Sequence, residues 1–394
     1  MNTIYKGLFA LIKSTLTGQK VELPEGFALE QADAVIKKQS LIPLVYPGAV
    51  QCGISTKTEL MQKYQVHYFR HLVTSNRQMQ AVDELCKAFE ESGVDYMLLK
   101  GCNMKRLYPK PEMRAMGDAD ILIRKEQYDK IRPIVQRLQY KSIKESAYDY
   151  VWETPDLYLE LHRRLYAASQ TRLCEYFGTG WDIAVPGEGH SYHMTLEDEY
   201  AYIFSHMAKH FRICGIGARH LIDLYVFRMV HPELDEKQVE RIMKRLDMLD
   251  FYRNILRTLE TWFDGRKNDS VTVMISNYVM NSGSFGTMEN KLYYMEMTKG
   301  GKKNGRKSRL GSFFDALFPP LNLMQGSYNI LFRFPVLLPV YWPVRWVDVL
   351  IHRRKNISKK MHIIRDMTDE KVANRERAME MMGVHFDCAD VDDD

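Results

Sequence analysis

The spacing of apolar residues predicts helices over residues 1–92. The clearest helix runs from Ser75 to Ser92, where apolar side chains recur at helical spacing and therefore share one face. This stripe consists of Met79, Val82, Leu85, Cys86 and Phe89. Gly93 follows at the position where a helix C-terminus favours a left-handed residue, so we expect the helix to end there.

After Gly93 the pattern changes to short apolar or alternating runs, which are typical of strands. These runs are 94–100 (VDYMLLK), 118–123 (DADILI), 147–153 (AYDYVWE) and 157–162 (LYLELH). An amphipathic helix is predicted after each of the first two runs. The order predicts a small mixed β-sheet of about four strands over residues 93–190.

Helical patterns return after the sheet. Thr195 and Asp198 resemble a capping box before an apolar stripe, and we expect helices over residues 191–298. Residues 299–394 begin with a basic loop at 299–309 (KGGKKNGRKSR) and continue with an aromatic, proline-rich tract. The predicted fold class is α+β, with N- and C-terminal helical regions on either side of the sheet.

Composition excludes several classes of protein. The chain has 394 residues, of which 45% are hydrophobic and 27% charged, so it is neither largely disordered nor a polytopic membrane protein. A net charge of +5 is too small to indicate nucleic-acid binding over the whole surface. The cysteines form no C-x-x-C pair, and Lys13 interrupts the short apolar N-terminal stretch. We therefore expect a cytoplasmic protein with reduced thiols and no secretory signal.

Candidate chemistry concentrates on two of the predicted strands. Asp118 and Asp120 lie two residues apart, so their side chains share one face of a strand and together suit Mg²⁺ or Mn²⁺. Glu160 and His162 share a face of the later strand, and Glu160 completes a carboxylate triad if the strands are neighbours. Gly117, just before the first of these strands, leaves room for a phosphate or for a bent backbone. Such a triad around two ions suits phosphoryl or nucleotidyl transfer.

Several segments together resemble a known family. They are LLKG at 98–101, LYPKPEMRAMGDADILI at 107–123, LELH at 159–162, HMAKH at 206–210 and GARHLIDLY at 217–225. In this order they are similar to the uncharacterised nucleotidyltransferase family of the DNA polymerase β-type superfamily. The resemblance covers roughly residues 90–230.

The resemblance implies transfer of a nucleoside monophosphate from an NTP such as ATP to an acceptor, with release of pyrophosphate. The acceptor stays open between a small molecule, a protein and RNA. The implied metal ligands are Asp118, Asp120 and Glu160, with Mg²⁺ or Mn²⁺ as cofactor. The implied nucleotide-binding residues are Lys100, Gly101, Arg114, Gly117, His162, His206 and His210. Lys100 and Gly101 stand where better-known relatives have Gly-Ser, and Lys100 would neutralise phosphate charge.

Three other functions stay open. One is a different phosphoryl transfer on the same metal site. Another is a toxin-like nucleotidyltransferase that modifies tRNA or a protein, in which the basic loop at 299–309 would contact a nucleic acid. The third is a catalytically degenerate adaptor of the same fold, which would bind no nucleotide with metal.

Smaller features also have more than one interpretation. His206 and His210 lie on one helical face, so they either pack beside the sheet and nucleotide or bind zinc. Arg219 and Asp223 are most simply an ion pair on a helix surface, and the family resemblance leaves open a role in orienting the substrate. The tract at 313–355 has the aromatic and basic character of a membrane-interface segment, or it packs on protein. Its apolar part, 334–344, is well short of the ~20 residues that a spanning helix needs.

Overall fold

A computed structural model gives the fold. It describes residues 2–145, 149–167, 170–301, 317–321, 324, 328, 330–352 and 362–386. The chain divides into two compact units, of which the first comprises Met1–Thr287 with Ala378–Asp394 and the second comprises Met288–Arg377. The candidate site residues all belong to the first unit.

The N-terminal region is helical, as predicted. Its helices are α1 (Thr3–Thr17), α2 (Leu29–Lys38), α3 (Ile42–Gln51) and α4 (Glu59–Glu91). Thr58 caps the N-terminus of α4, because its side chain accepts a hydrogen bond from the Met61 backbone N–H. It ends just before Gly93, which has a φ of 64°. The predicted C-terminal signal is therefore confirmed.

The sheet is mixed and, within the described residues, has seven strands. They are β1 (Tyr96–Leu98), β2 (Asp118–Ile123), β3 (Lys141–Glu145), β4 (Asp149–Glu153), β5 (Tyr158–His162), β6 (Val185–Pro186) and β7 (Ser191–His193). Their order across the sheet is β3-β4-β5-β2-β1-β7-β6. Strand β2 pairs parallel with β5 and β1 pairs parallel with β7, whereas the other neighbours are antiparallel.

The prediction of about four strands was therefore too low. Strand β3 is exposed along its whole length, so it has no alternation of buried and polar residues to detect. Strands β6 and β7 are only two and three residues long. The predicted α+β class, with a mixed sheet and helical flanks, is confirmed.

Alternation along β2 and β5 separates a core face from a polar face. Ala119 and Ile121 of β2, with Leu159 and Leu161 of β5, are fully buried in one hydrophobic cluster. Helix α4 and a helix that follows β2, α6 (Tyr128–Arg137), contribute to this same cluster. Because strand side chains alternate, the acidic residues of β2 and β5 lie on the opposite face of the sheet.

The first unit also contains helices that lie between the strands or follow them in the sequence. They are α5 (Lys100–Leu107), α7 (Thr171–Phe177), α8 (Leu196–Ile213), α9 (Ala218–Val230), α10 (Glu236–Arg245), α11 (Leu249–Phe263) and α12 (Ser270–Ser282). Thr195 caps α8 by accepting a hydrogen bond from the Asp198 N–H at 3.2 Å, which confirms the predicted start. Helices α5, α8 and α9 supply further site residues, whereas Arg114 and Gly117 lie between α5 and β2.

The second unit contains helices at Met288–Gly301 and Leu338–His352. Two indoles of its aromatic tract donate to backbone carbonyls of the same unit, Trp342 to Pro319 and Trp346 to Leu317. Residues 302–309 of the predicted basic loop and parts of the tract at 313–355 lie outside the described residues. Across the described chain, none of the helices combines the length and hydrophobicity needed to cross a membrane.

Candidate active site

Asp120 lies at the centre of a polar cluster on the sheet. Parallel pairing sets Asp120 opposite Glu160 and Leu122 opposite His162, so the carboxylates and the imidazole come from adjacent strands. His162 Nε2 is 2.8 Å from Asp120 Oδ1 and 3.5 Å from Glu160 Oε2. One ligand atom from each of these three residues lies within 4.8 Å of the others. This spacing suits a single divalent ion.

Lys100 and two histidines of α8 continue the cluster. Lys100 is the first residue of α5, and its Nζ lies 3.3 Å from Asp120 Oδ1. The same Nζ donates to His206 Nε2 at 3.0 Å, and His206 Nε2 is 3.2 Å from His210 Nε2. The cluster therefore brings together residues from four separate segments of the sequence, namely Lys100, Asp120, Glu160, His162 and His206.

Asp120 and Lys100 each stabilise the ionised form of the other. Burial by itself raises the pKa of Asp120, but the Lys100 charge and the His162 hydrogen bond outweigh it, so this pKa is lowered. Burial likewise disfavours the Lys100 ammonium, but the charges of Asp120, Asp118 and Glu160 raise its pKa. Both groups are therefore ionised at neutral pH, and they form a buried ion pair.

The other two carboxylates hold their protons more tightly than usual. Burial, reinforced by the Asp120 charge, raises the pKa of Glu160 to about 7. The pKa of Asp118 is raised for the same two reasons. Asp118 shares a strand with Asp120 but lies outside the set of three clustered ligand atoms. Three carboxylates at such short range need positive charge nearby to ionise together.

His206 is neutral in this environment. Burial, together with the positive charge of Lys100, holds its pKa well below the ordinary histidine value. A neutral imidazole has one nitrogen that can accept a hydrogen bond, and His206 Nε2 accepts the bond from Lys100. This contact gives His206 a defined part in orienting Lys100. The described clusters of possible metal ligands do not include His206 or His210, so the zinc interpretation gains no support.

Arg114 is placed differently from the other predicted nucleotide-binding residues. It is buried, and its Nε and Nη2 each donate to one carboxylate oxygen of Asp223 at 2.9 Å. Its Nη1 donates to the Gly101 carbonyl at 3.1 Å, and Tyr108 also donates to Asp223. The predicted surface ion pair between Arg219 and Asp223 is wrong, because Asp223 is only 3% exposed and pairs with Arg114.

Arg219 is a basic residue near the site to which the sequence assigned no firm role. It lies in the first turn of α9, and its Nη1 donates to the Ala115 carbonyl, three residues before Asp118. Its positive charge opposes the rise in the pKa of Asp118. The GARHLIDLY segment was the signal that could have identified it.

Gly101 and Gly117, the two glycines predicted to bind nucleotide, have different surroundings. A Cβ on Gly101 would lie 3.2 Å from the Asp118 carbonyl, so the small residue lets the start of α5 approach β2. A Cβ on Gly117 would meet no atom within 4 Å, and this residue is exposed. The backbone beside Asp118 is therefore open to solvent at Gly117.

Comparison with solved structures finds weak similarity to the antibiotic-resistance factor ANT(2'')-Ia. Its solution structure has 15% identity and a TM-score of 0.33, and the match covers 48% of this chain and 97% of that one. Its crystal structure in complex with adenylyl-2''-tobramycin has 14% identity and a TM-score of 0.31, with 44% and 98% covered.

Comparison with protein sequences gives a clearer result. No curated protein matches the chain at a significant level. In contrast, the family described as "uncharacterised nucleotidyltransferase" matches residues 26–264, which is more than half of the chain. The match includes every candidate site residue. The chain therefore belongs to the uncharacterised nucleotidyltransferase family.

Proposed function

We propose that this protein moves a nucleoside monophosphate from an NTP to an acceptor and releases pyrophosphate, in a reaction that depends on a divalent metal. The observation that carries the proposal is the convergence of Asp120, Glu160 and His162 beside the buried ammonium of Lys100. A scaffold gains nothing from carboxylates clustered in this way, since their mutual repulsion costs stability. Family membership supports the same reaction class.

The donors fit a divalent cation. The two carboxylates suit Mg²⁺ or Mn²⁺, and the imidazole within 4.8 Å makes Mn²⁺ a better fit than Mg²⁺, which prefers oxygen ligands. A divalent ion bound there would offset charge on the transferring phosphoryl group and on the departing pyrophosphate. Asp118 stays in the proposal as a neighbouring carboxylate on the same face of β2.

Glu160 is our candidate for the general base. It offers one carboxylate oxygen to the set of ligand atoms, and its second oxygen can take a proton from the acceptor. The acceptor oxygen or nitrogen then forms a bond to the α-phosphorus, and the bond from that phosphorus to the bridging oxygen of pyrophosphate breaks. The acceptor proton ends on Glu160, and the electron pair of the broken bond leaves with pyrophosphate.

The pKa of Glu160 predicts how metal binding depends on pH. Below pH ~7 the carboxyl holds a proton that the metal must displace, so Mn²⁺ affinity should fall by about tenfold for each pH unit. Calorimetric titration of Mn²⁺ at about pH 6 and about pH 8 measures the difference. The Glu160→Gln variant should bind Mn²⁺ more weakly and lose most of this pH dependence. An equal slope in both proteins would remove Glu160 from the metal site.

Arg219 is better placed than Arg114 to bind the triphosphate, because the donors of Arg114 are already engaged by Asp223 and Gly101. Among the described residues, Arg219 makes one hydrogen bond, from Nη1 to the Ala115 carbonyl. Other N–H groups of its guanidinium can therefore donate to a phosphate. Charge-assisted hydrogen bonds contribute about 1.5–3 kcal/mol. We therefore expect Arg219→Ala to weaken NTP binding by roughly tenfold or more.

Isothermal titration with each NTP tests the role of Arg219. The matched control is Arg106→Ala, which removes an arginine that is exposed and paired with Asp83. The control should bind NTP as the wild type does. If both variants bind NTP with wild-type affinity, Arg219 does not contact the nucleotide.

Labelled nucleotides test the proposed reaction itself. The protein is incubated with Mn²⁺, an extract of cells as the source of acceptor, and NTP labelled at either the α- or the γ-phosphorus. Nucleotidyl transfer puts the α-label on the acceptor and the γ-label in pyrophosphate. A γ-label on the acceptor would mean phosphoryl transfer instead. The acceptor class, the preference for ATP and the cytoplasmic location stay predictions.

A further inference from the structure

The backbone at Lys100 is unusual. Lys100 has a φ of 25°, and positive values of φ are strained for residues with a side chain. Strain of this kind persists only where the surrounding structure holds the residue in place, and it concentrates at functional sites. Lys100 occupies the first position of α5, directly after the turn that follows β1. The conformation turns its side chain back over the acidic face of β2.

The ammonium group of Lys100 is held between two partners. Its Nζ lies 3.3 Å from Asp120 Oδ1 and 3.0 Å from the acceptor nitrogen of His206. The Lys100 side chain is 19% exposed and that of Asp120 is 5% exposed, so solvent screens this pair only weakly. The ammonium therefore occupies a fixed cationic position beside the central carboxylate rather than extending toward solvent.

The geometry of the cluster provides ligand atoms for one divalent ion and holds one ammonium beside Asp120. The described ligand atoms form one set, from Asp120, Glu160 and His162, and this set is sufficient for one ion. A second ion at Asp120 Oδ1 would have to share that oxygen with the Lys100 ammonium, which already contacts it at 3.3 Å.

We propose that Lys100 takes the place of a second metal ion, so that the site binds one divalent ion per chain during nucleotide binding. This inference rests on the proposed function, and it differs in one part from the expectation drawn from sequence, in which two ions served the reaction. His206 is a positioning residue in this arrangement, because it accepts a hydrogen bond from the ammonium and holds it over Asp120.

The test counts Mn²⁺ ions. The full-length protein is saturated with Mn²⁺ and an NTP analogue whose α,β-bridge is a methylene group, so that no transfer occurs. Bound Mn²⁺ is then counted by electron paramagnetic resonance against free Mn²⁺. We expect one ion per wild-type chain and two per Lys100→Ala chain, because removing the ammonium opens the second position. Lys100→Arg keeps a positive charge and is the matched control, with one ion expected.

The outcomes separate this inference from the proposed function. Two ions in the wild type would overturn the role of Lys100 and leave nucleotidyl transfer intact. One ion in both the wild type and a folded Lys100→Ala variant would also overturn it. Absence of bound Mn²⁺ in the wild type would contradict the metal site of the proposed function. The wild-type count alone is decisive if the alanine variant does not fold, as judged by circular dichroism.

Discussion

The Asp120→Asn variant will lose nucleotide transfer by a factor of about 10²–10³, which is the usual effect of removing one preorganised electrostatic group from an active site. Asp120 accepts hydrogen bonds from both Lys100 and His162, and it lies opposite Glu160. Asparagine has nearly the same shape but no negative charge. The substitution therefore removes the charge that holds Lys100 and a metal ion on this face of the sheet.

The α-label assay measures this loss, and Asp129→Asn is its matched control. Asp129 is exposed on α6, which packs against the opposite face of the sheet, so its substitution should leave transfer unchanged. Thermal melting of both variants shows whether the fold is intact. Transfer at the wild-type rate in a folded Asp120→Asn variant would contradict the assignment of Asp120 to the reaction.

The Asp223→Ala variant will reduce the free energy of unfolding by about 3–5 kcal/mol, which is typical when one partner of a buried ion pair is removed. Arg114 is 6% exposed and Asp223 is 3% exposed, so the guanidinium would be left charged and buried. Tyr108 would lose its acceptor as well. Because Arg114 also bonds to the Gly101 carbonyl, loosening it should disturb the start of α5 and the position of Lys100.

Urea unfolding followed by circular dichroism measures this difference. The control is Asp83→Ala, which removes an aspartate that pairs with Arg106 at 2.7 Å on the surface. Exposed pairs of this kind contribute about 0–1 kcal/mol. Similar losses in both variants would show that the Arg114–Asp223 pair has no special part in stabilising the site.

Much of the candidate metal site could be predicted from the alternation of residues along two strands. DADILI and LYLELH each put apolar residues on one face and acidic or imidazole groups on the other, and this local pattern survives in the structure. The pattern could not show that β2 and β5 are neighbours. Their pairing joins segments about 40 residues apart, and it depends on the complete order of strands across the sheet.

Other parts of the site depend on contacts that leave no local trace in the sequence. Asp223 lies 109 residues after Arg114, so only the packing of α9 beside α5 shows that this arginine is buried and paired. Lys100 reaches Asp120 because its backbone takes a positive φ, which the amino-acid type does not suggest. Its contact with His206 spans 106 residues. Long-range contacts also separate the two arginines, since Arg114 pairs with Asp223 and Arg219 donates to the Ala115 carbonyl.

Binding of an NTP with and without metal tests the central claim most directly, because it requires no knowledge of the acceptor. ATP, GTP, CTP and UTP are each titrated calorimetrically into the wild type and Asp120→Asn, with Mn²⁺ and then with EDTA. We expect at least one NTP to bind the wild type with Mn²⁺, and this binding to be lost with EDTA and in the variant. Binding that is the same in all of these conditions, or absence of binding to any NTP, would contradict the claim and favour the adaptor.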